Sequence, residues 1–388
     1  MGILANSVSF CQFLVVGDLP GKDVFPWASG NLARHAFIPI DEGTEELSVG
    51  WVHTTNHRES SFSVPADFWH DHYLAFSIRQ DRRRLPAALV KGHLQLAEQE
   101  FLATNPGLRR VPKQKREDLR ERVRIQLLSR TLPVPMVQDV VWDTRSGIVT
   151  FTSLGKAAVE TFDTLFRKTF LGLRLVAVHP FARAERVVDP SCAQALAEAN
   201  SASSQAVLDL IRSNRWLGWD FLLWLMYRTM NETAQFRVCR PGLSADGETF
   251  TAYLDDRLVL ASAGDNGVQK ITVAGPQDQF SEVLTALHFG KLINEAILHL
   301  ELGDEAWRLT LKGETFTFGA FKAPKVKEEK DATVDGTSER EALFFERMYL
   351  LETGLQLFDS LFAAFLGIRL GGGWQGEMRK IAAWLATE

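Results

Sequence analysis

The chain has 388 residues, 46% hydrophobic and 23% charged, with three cysteines and a formal net charge of −5 at pH 7. These figures exclude a disordered, collagen-like or disulfide-built chain, predict more than one folded part, and leave no polybasic coat over the molecule as a whole. Cys11, Cys192 and Cys239 are too scattered for a metal pattern or a disulfide framework, which points to a reducing cytoplasm.

In chain order, Ser7 to Val16 is β-branched and aromatic and predicts a strand. A helix, the short apolar segment ending at Gly50-Trp51 and a polar loop from Thr54 to Ser63 follow, and Leu74, Phe76 and Ile78 alternate as a second strand. Pro86 opens a helix carrying Leu89, Leu94, Leu96, Ala97 and Phe101 that stops at Asn105-Pro106-Gly107. A second helix over Lys113 to Arg130 has Leu119, Val123 and Leu127 as a narrow stripe, suited to a two-helix projection. Met136 to Trp142 and Ile148 to Thr152 predict a hairpin, Ser153 caps a helix with Phe162, Leu165, Phe166 and Phe170 inside, and Leu173 to Val178 is a further strand.

Ala182 to Ser204 is small, polar and Pro-interrupted, and is read as a boundary. An apolar helix around Trp219 to Met230 follows, then short strands at Thr249 to Tyr253, Leu258 to Ala261 and Lys270 to Val273, and helix over Phe280 to Leu300. Trp307, Leu309 and Leu311 alternate ahead of Lys312-Gly313 and then Phe316 and Phe318, a hairpin with a two-residue turn. Lys322 to Arg340 reads as a charged linker. Phe344 to Phe365 reads as a long amphipathic helix with Glu352, Gln356, Asp359 and Ser360 on its wet side. The richest apolar window, Trp216 to Tyr227, is short and contains Asp220, and no Lys or Arg precedes Lys22, so neither a membrane span nor a secretory signal is expected.

Enzyme signatures are weak. Gly17 to Asp23 resembles a phosphate loop one residue short, with Asp23 where a Mg²⁺-binding hydroxyl belongs. His70, Asp71 and His72, with His53 and His57, lack the partners that complete a metal set, so surface histidines are the simpler reading. The carboxylate pairs Asp255-Asp256 and Glu45-Glu46 are neighbours in sequence and read as solvated turns rather than a two-metal centre. No catalytic residue, metal ligand or cofactor is assigned.

Charge segregation is the stronger signal. From Arg79 to Arg130 there are fourteen Lys and Arg against six Asp and Glu, a local +8 that leaves −13 for the rest. Glu117, Asp118 and Glu121 can pair with Arg120, Arg122 and Arg124 at helical spacing, which accounts for part of it. A basic projection on an acidic body is the footprint of polyanion binding through phosphates, with little base readout. The candidate contacts are Arg82, Arg83, Arg84, Lys91, Arg109, Arg110, Lys113, Lys115, Arg116, Arg120 and Arg124. Arg82, Arg83 and Arg84, at a turn, are expected to be interchangeable and dispensable for folding.

The order of several short motifs resembles the RdgC family of recombination-associated DNA-binding proteins. They are Phe37-Ile38-Pro39, Gly50-Trp51-Val52, Arg84-Leu85-Pro86, Leu127-Leu128-Ser129-Arg130, Val140-Val141-Trp142-Asp143, Gly147-Ile148-Val149, the helix from Ala157 to Leu173, and Tyr349-Leu350-Leu351-Glu352-Thr353-Gly354. The likeness runs from about Ser7 to Pro180 and more loosely over Gly290 to Gly373. Within Pro190 to Gln279 only Leu217 to Leu225 looks familiar, as a segment of longer members.

The resemblance implies a non-enzymatic, cofactor-free homodimer closed into a ring around double-stranded DNA, cytoplasmic and nucleoid-associated, antagonising a RecA-type filament and with no membrane partner. It departs from the pattern at Leu132-Pro133, where an aromatic fingertip is expected. Combined with the pattern reading, this predicts an α+β, multi-part chain with antiparallel sheets, a projecting basic helical hairpin and a long C-terminal helix. Its parts are a discontinuous centre (1–80 and 134–181), a basic helical projection (81–133) and a C-terminal α+β region (182–388) with a charged loop at 322–340. Leu132, at the apolar tip, and Phe344, Phe345, Phe358 and Phe362 are the expected dimer contacts. A metal-dependent DNA nuclease using Asp255, or a scaffold for an acidic protein partner, are the rival readings.

Overall fold

The computed structural model describes residues 2–21, 24–264, 267–275, 280–326 and 336–386. The first half runs β1 (Ser7–Val16), α1 (Val24–Arg34), β2 (Leu47–Val52), β3 (Trp69–His70), β4 (Tyr73–Arg82), α2 (Ala87–Thr104), α3 (Lys113–Leu128), β5 (Val134–Asp143), β6 (Ile148–Phe151), α4 (Lys156–Thr169) and β7 (Arg174–Ala177). The second half runs α5 (Pro180–Val187), α6 (Ala193–Glu198), α7 (Val207–Ser213), α8 (Trp216–Asn231), β8 (Gln235–Arg237), β9 (Thr249–Gly264), β10 (Gly267–Ala274), α9 (Ser281–His288), β11 (Leu292–Leu302), β12 (Glu305–Lys312), β13 (Thr317–Lys322), α10 (Gly336–Leu370) and α11 (Trp374–Leu385). The class is α+β with antiparallel strand pairing, as the sequence predicts. Two compact units divide the chain: Met1–Gly17, Trp142–Glu160 and Arg174–Glu388 form one, Asp18–Val141 and Thr161–Leu173 the other.

The smaller unit carries the basic segment. β2 pairs antiparallel with β4 from Leu47 opposite Arg82 to Val52 opposite Ser77. Trp51 on β2 is fully buried and meets Phe76 edge-on at 5.0 Å and Phe162 of α4 at 6.4 Å. Its indole N–H donates to the Thr169 hydroxyl at 2.7 Å, so a buried donor is satisfied at the end of α4. The predicted buried face of Phe162, Leu165, Phe166 and Phe170 is the one observed. Ser153 lies ahead of α4, its hydroxyl accepting the Gly155 N–H at 3.2 Å.

In the larger unit the strands run in the order β10, β9, β11, β12, β13, β1, β6, with β7 on β1 and β8 on β9. The first half of β1 pairs with β13 (Ser7 opposite Lys322, Phe10 opposite Phe318) and its second half with β6 and β7. α8 and α10 bring Phe221, Phe358, Phe362 and Phe365 together with Phe316, at ring separations of 4.9 to 6.4 Å where they touch.

Several expectations fail here for identifiable reasons. Phe280 to Leu300 is a short helix and then a strand: Gly290, at φ +78°, ends α9, and the inward Ala296, Leu298 and Leu300 have the two-residue period of a strand. Thr249 to Tyr253 and Leu258 to Ala261 belong to the single strand β9. The β12–β13 link is longer than two residues, and Phe316 turns it at φ +49°.

The expected wet side of α10 is largely dry: Gln356 and Ser360 are buried, and Asp359 pairs with buried Arg183 at 2.7 Å. Of the charged segment 322–340, residues 327–335 fall outside the described residues and Gly336 to Arg340 begin α10. By length and composition alone α10 is long and apolar enough to cross a membrane over Ser338–Leu370, and 61% of its most apolar 18 residues is buried inside the fold.

Among the glycines described in the smaller unit, Gly50 lies closest to other main chain. A Cβ there would stand 2.4 Å from the Phe37 Cα, against main chain that cannot swing aside. We expect Gly50→Ala to cost about 3 kcal/mol, the upper part of the range for overpacking, seen as a lower midpoint in denaturant titration.

Candidate nucleic-acid interface

α2 and α3 form the predicted helical hairpin. Leu119, Val123 and Leu127, the stripe expected from sequence, are buried together with Leu128. α2 contributes no fully buried residue, and Leu89 and Leu96 remain exposed, so the hairpin has a thin apolar seam. Towards the link between the helices, Arg116 donates to Glu98 at 2.6 Å and the Lys115 ammonium lies 5.8 Å from the Phe101 ring centre.

At the opposite end lies a groove of about 680 Å³ between the end of β4, the first turns of α2 and the second half of α3. Six bases line it (Arg82, Arg83, Arg84, Lys91, Arg120 and Arg124), over an apolar floor that includes Leu85, Val90, Leu94 and Leu128. One acid, Glu46, lines it with them. Arg82, Arg84, Lys91, Arg120 and Arg124 are exposed. Geometry of this kind presents guanidinium and ammonium groups to a row of phosphates.

Arg83 does something else, against expectation. It is 3% exposed, and its guanidinium donates to four main-chain carbonyls: Thr131 at 2.6 Å, Glu45 at 2.8 Å, Ile40 at 2.6 Å and Asp41 at 2.8 Å. Its neighbours Arg82, the last residue of β4, and Arg84 are exposed. Arg79 is consumed similarly, bidentate on Asp81 at 2.7 and 2.8 Å and lying over Phe37; the Asp81 carboxylate raises the guanidinium's pKa further.

The structure separates the remaining candidates into a second group. Arg109 and Arg110 lie in the link, and Lys113, Lys115 and Arg116 in the first turn of α3, with Lys113 roughly 16 Å along the helix from Arg124 at 1.5 Å per residue. The expected Arg124 to Glu121 pair is replaced by a contact of Arg124 with Glu46, Nε (2.8 Å) and Nη2 both donating to the carboxylate's Oε1. Glu46 is thus an ion-pair partner rather than a free turn residue. Its role had no local sequence signal, since it lies 78 positions from Arg124.

Leu132 is 76% exposed, but it stands at the base of the hairpin, next to Thr131 and its Arg83 contact, and the tip is the 105–112 link. Phe344, Phe358 and Phe362 are buried in the larger unit's own core, so they are corrected from dimer contacts to packing residues; Phe345 is half-buried.

Elsewhere, the carboxylate of Asp256 accepts from Arg308 at 2.9 Å and contacts His299 at 3.2 Å, and these partners, Arg308 foremost, hold its pKa below the usual carboxylate range. His53 is buried with its ring nitrogen on the Ser61 carbonyl, and His72 contacts Asp71. Of the phosphate-loop resemblance, Gly17 follows β1 with φ +134°, and Lys22 and Asp23 lie outside the described residues.

Residues 28–188 match one protein-family model, whose description is "Putative exonuclease, RdgC". The match contains the whole helical hairpin and its groove and ends before the looser likeness at Gly290 to Gly373. A search of curated proteins found no match.

The two classes of arginine separate in a stability measurement. Removing Arg83 leaves four inward carbonyls without their donor, so Arg83→Met should cost about 2–4 kcal/mol. Arg82→Gln and Arg84→Gln should each stay within about 0.5 kcal/mol of the parent in thermal or urea unfolding.

Proposed function

We propose, from the match of residues 28–188 to the RdgC family model, that the protein binds double-stranded DNA through its phosphate backbone, without sequence preference and without catalysis. The observation that carries this reading is the groove: five exposed bases converge on it, and among the described residues that line it there is one acid and no aromatic side chain. Stacking platforms for unpaired bases need aromatic faces, whereas phosphates need only fixed cations. The reading extends to a homodimer that encircles the duplex and opposes a RecA-type filament on the cytoplasmic nucleoid.

A second reading, an exonuclease, is favoured by the description of the matched family model. Asp255 and Asp256 are the acids that sequence offers for it. Asp256 is occupied by Arg308 and His299, and Asp255 accepts its neighbour's main-chain N–H at 2.7 Å. Mg²⁺-dependent shortening of a linear duplex by purified protein, abolished by Asp255→Ala, would establish this reading and displace the first.

Salt titration tests the groove directly. With about five phosphates neutralised, log affinity should fall against log salt with a slope near −4 to −5. Replacing Arg82, Arg84 and Lys91 by Gln should weaken binding to all sequences alike and flatten the slope by about one per side chain. A flat salt response in the parent protein would sink the phosphate-backbone reading. Retention on closed circular duplex through a salt wash that strips linear duplex would support encirclement.

A further inference from the structure

The groove contains its own competitor. Glu46 is the one acid among its described lining residues, and one of its carboxylate oxygens, Oε1, accepts from both Nε and Nη2 of Arg124. A phosphate oxygen can take the same place on the guanidinium edge as the Glu46 Oε1, so both fit Arg124 and they exclude each other.

The fold fixes the acid in place. Arg83 holds the carbonyls of Ile40, Asp41 and Glu45, and its main-chain N–H donates to the Glu46 carbonyl at 2.9 Å. Leu47 is already in the ladder opposite Arg82. Glu46 is therefore set at the rim by a buried arginine behind it and a strand ahead of it. A solvated turn would leave it free.

We propose that Glu46 is a built-in phosphate mimic. In the free protein it occupies Arg124, and DNA binding requires the exchange of its carboxylate for a backbone phosphate. The inference rests on the groove reading above. The Arg124 and Glu46 side chains are 49% and 45% exposed, so water and phosphate reach the pair and the exchange is inexpensive. The device weakens and evens out binding; it does not abolish it.

Binding of a labelled duplex of about 25 base pairs, followed by anisotropy across a salt series, tests the exchange with the whole protein. Glu46→Gln should bind about 3- to 10-fold tighter near 0.1 M salt with nearly the parent's slope, because Arg124 neutralises a phosphate in both complexes. Glu45→Gln removes the same charge from the same loop without touching Arg124, and should move affinity by less than 2-fold with the slope unchanged. In an Arg124→Gln background, Glu46→Gln should gain nothing.

Equal gains from the two glutamate variants would reduce the effect to general charge and overturn the proposal. So would a Glu46→Gln protein that binds as the parent does or more weakly while circular dichroism shows it folded. If neither the parent nor Glu46→Gln binds duplex, the groove reading falls and the proposal with it. If the parent binds and Glu46→Gln matches it, the proposal falls alone.

Discussion

A single buried guanidinium organises the smaller unit's basic face. Arg83 gathers carbonyls from residues 40, 41 and 45 and from Thr131, which are far apart in sequence, the Ile40 contact being the fully buried one. Four of its five N–H groups are used this way, with no carboxylate partner among them. Since Thr131 follows α3 and Arg83 precedes α2, the same residue ties down both feet of the helical hairpin. The orientation of the exposed cations on either side follows from that anchorage.

This explains why neighbouring arginines of the same sequence run have opposite fates. Arg82 ends β4 opposite Leu47 and is exposed; just past the strand, Arg83 still donates its N–H to the Glu46 carbonyl and its side chain is buried, while Arg84 is exposed. A count of charges cannot see that distinction. The count from Arg79 to Arg130 overstates the cations available to a ligand, because Arg79 and Arg83 are held by the protein itself.

Much of the fold is readable where pattern is local. The β-branched and aromatic run of β1 marks both its ends, and the Leu119, Val123, Leu127 stripe identifies the inner face of α3 from spacing alone. The groove is legible only as a composition: its bases stand out in the sequence, but their division into a groove group and a link group depends on where the hairpin folds back. Glu46 and the Ile40–Glu45 carbonyls leave no local trace, being contacts across some 40 to 80 positions. α10 misleads for a related reason. Gln356, Asp359 and Ser360 look like a solvent face on a helical wheel, yet they serve main-chain groups and Arg183 inside the unit.

The division of the chain also sets an order of events during synthesis. The smaller unit is complete once Leu173 has been made, and by Ala177 the second half of β1 has both neighbours. Ser7, Val8 and Phe10 do not, since their partners Phe318 to Lys322 come some 145 residues later. At roughly 5–20 residues per second, half of a strand edge stands open for on the order of ten seconds on every nascent chain. Val8 and Phe10, which end almost wholly buried, are offered during that interval to any other unpaired strand on the same polysome. Slower elongation between β7 and β13 lengthens the time in which neighbouring nascent chains can tangle.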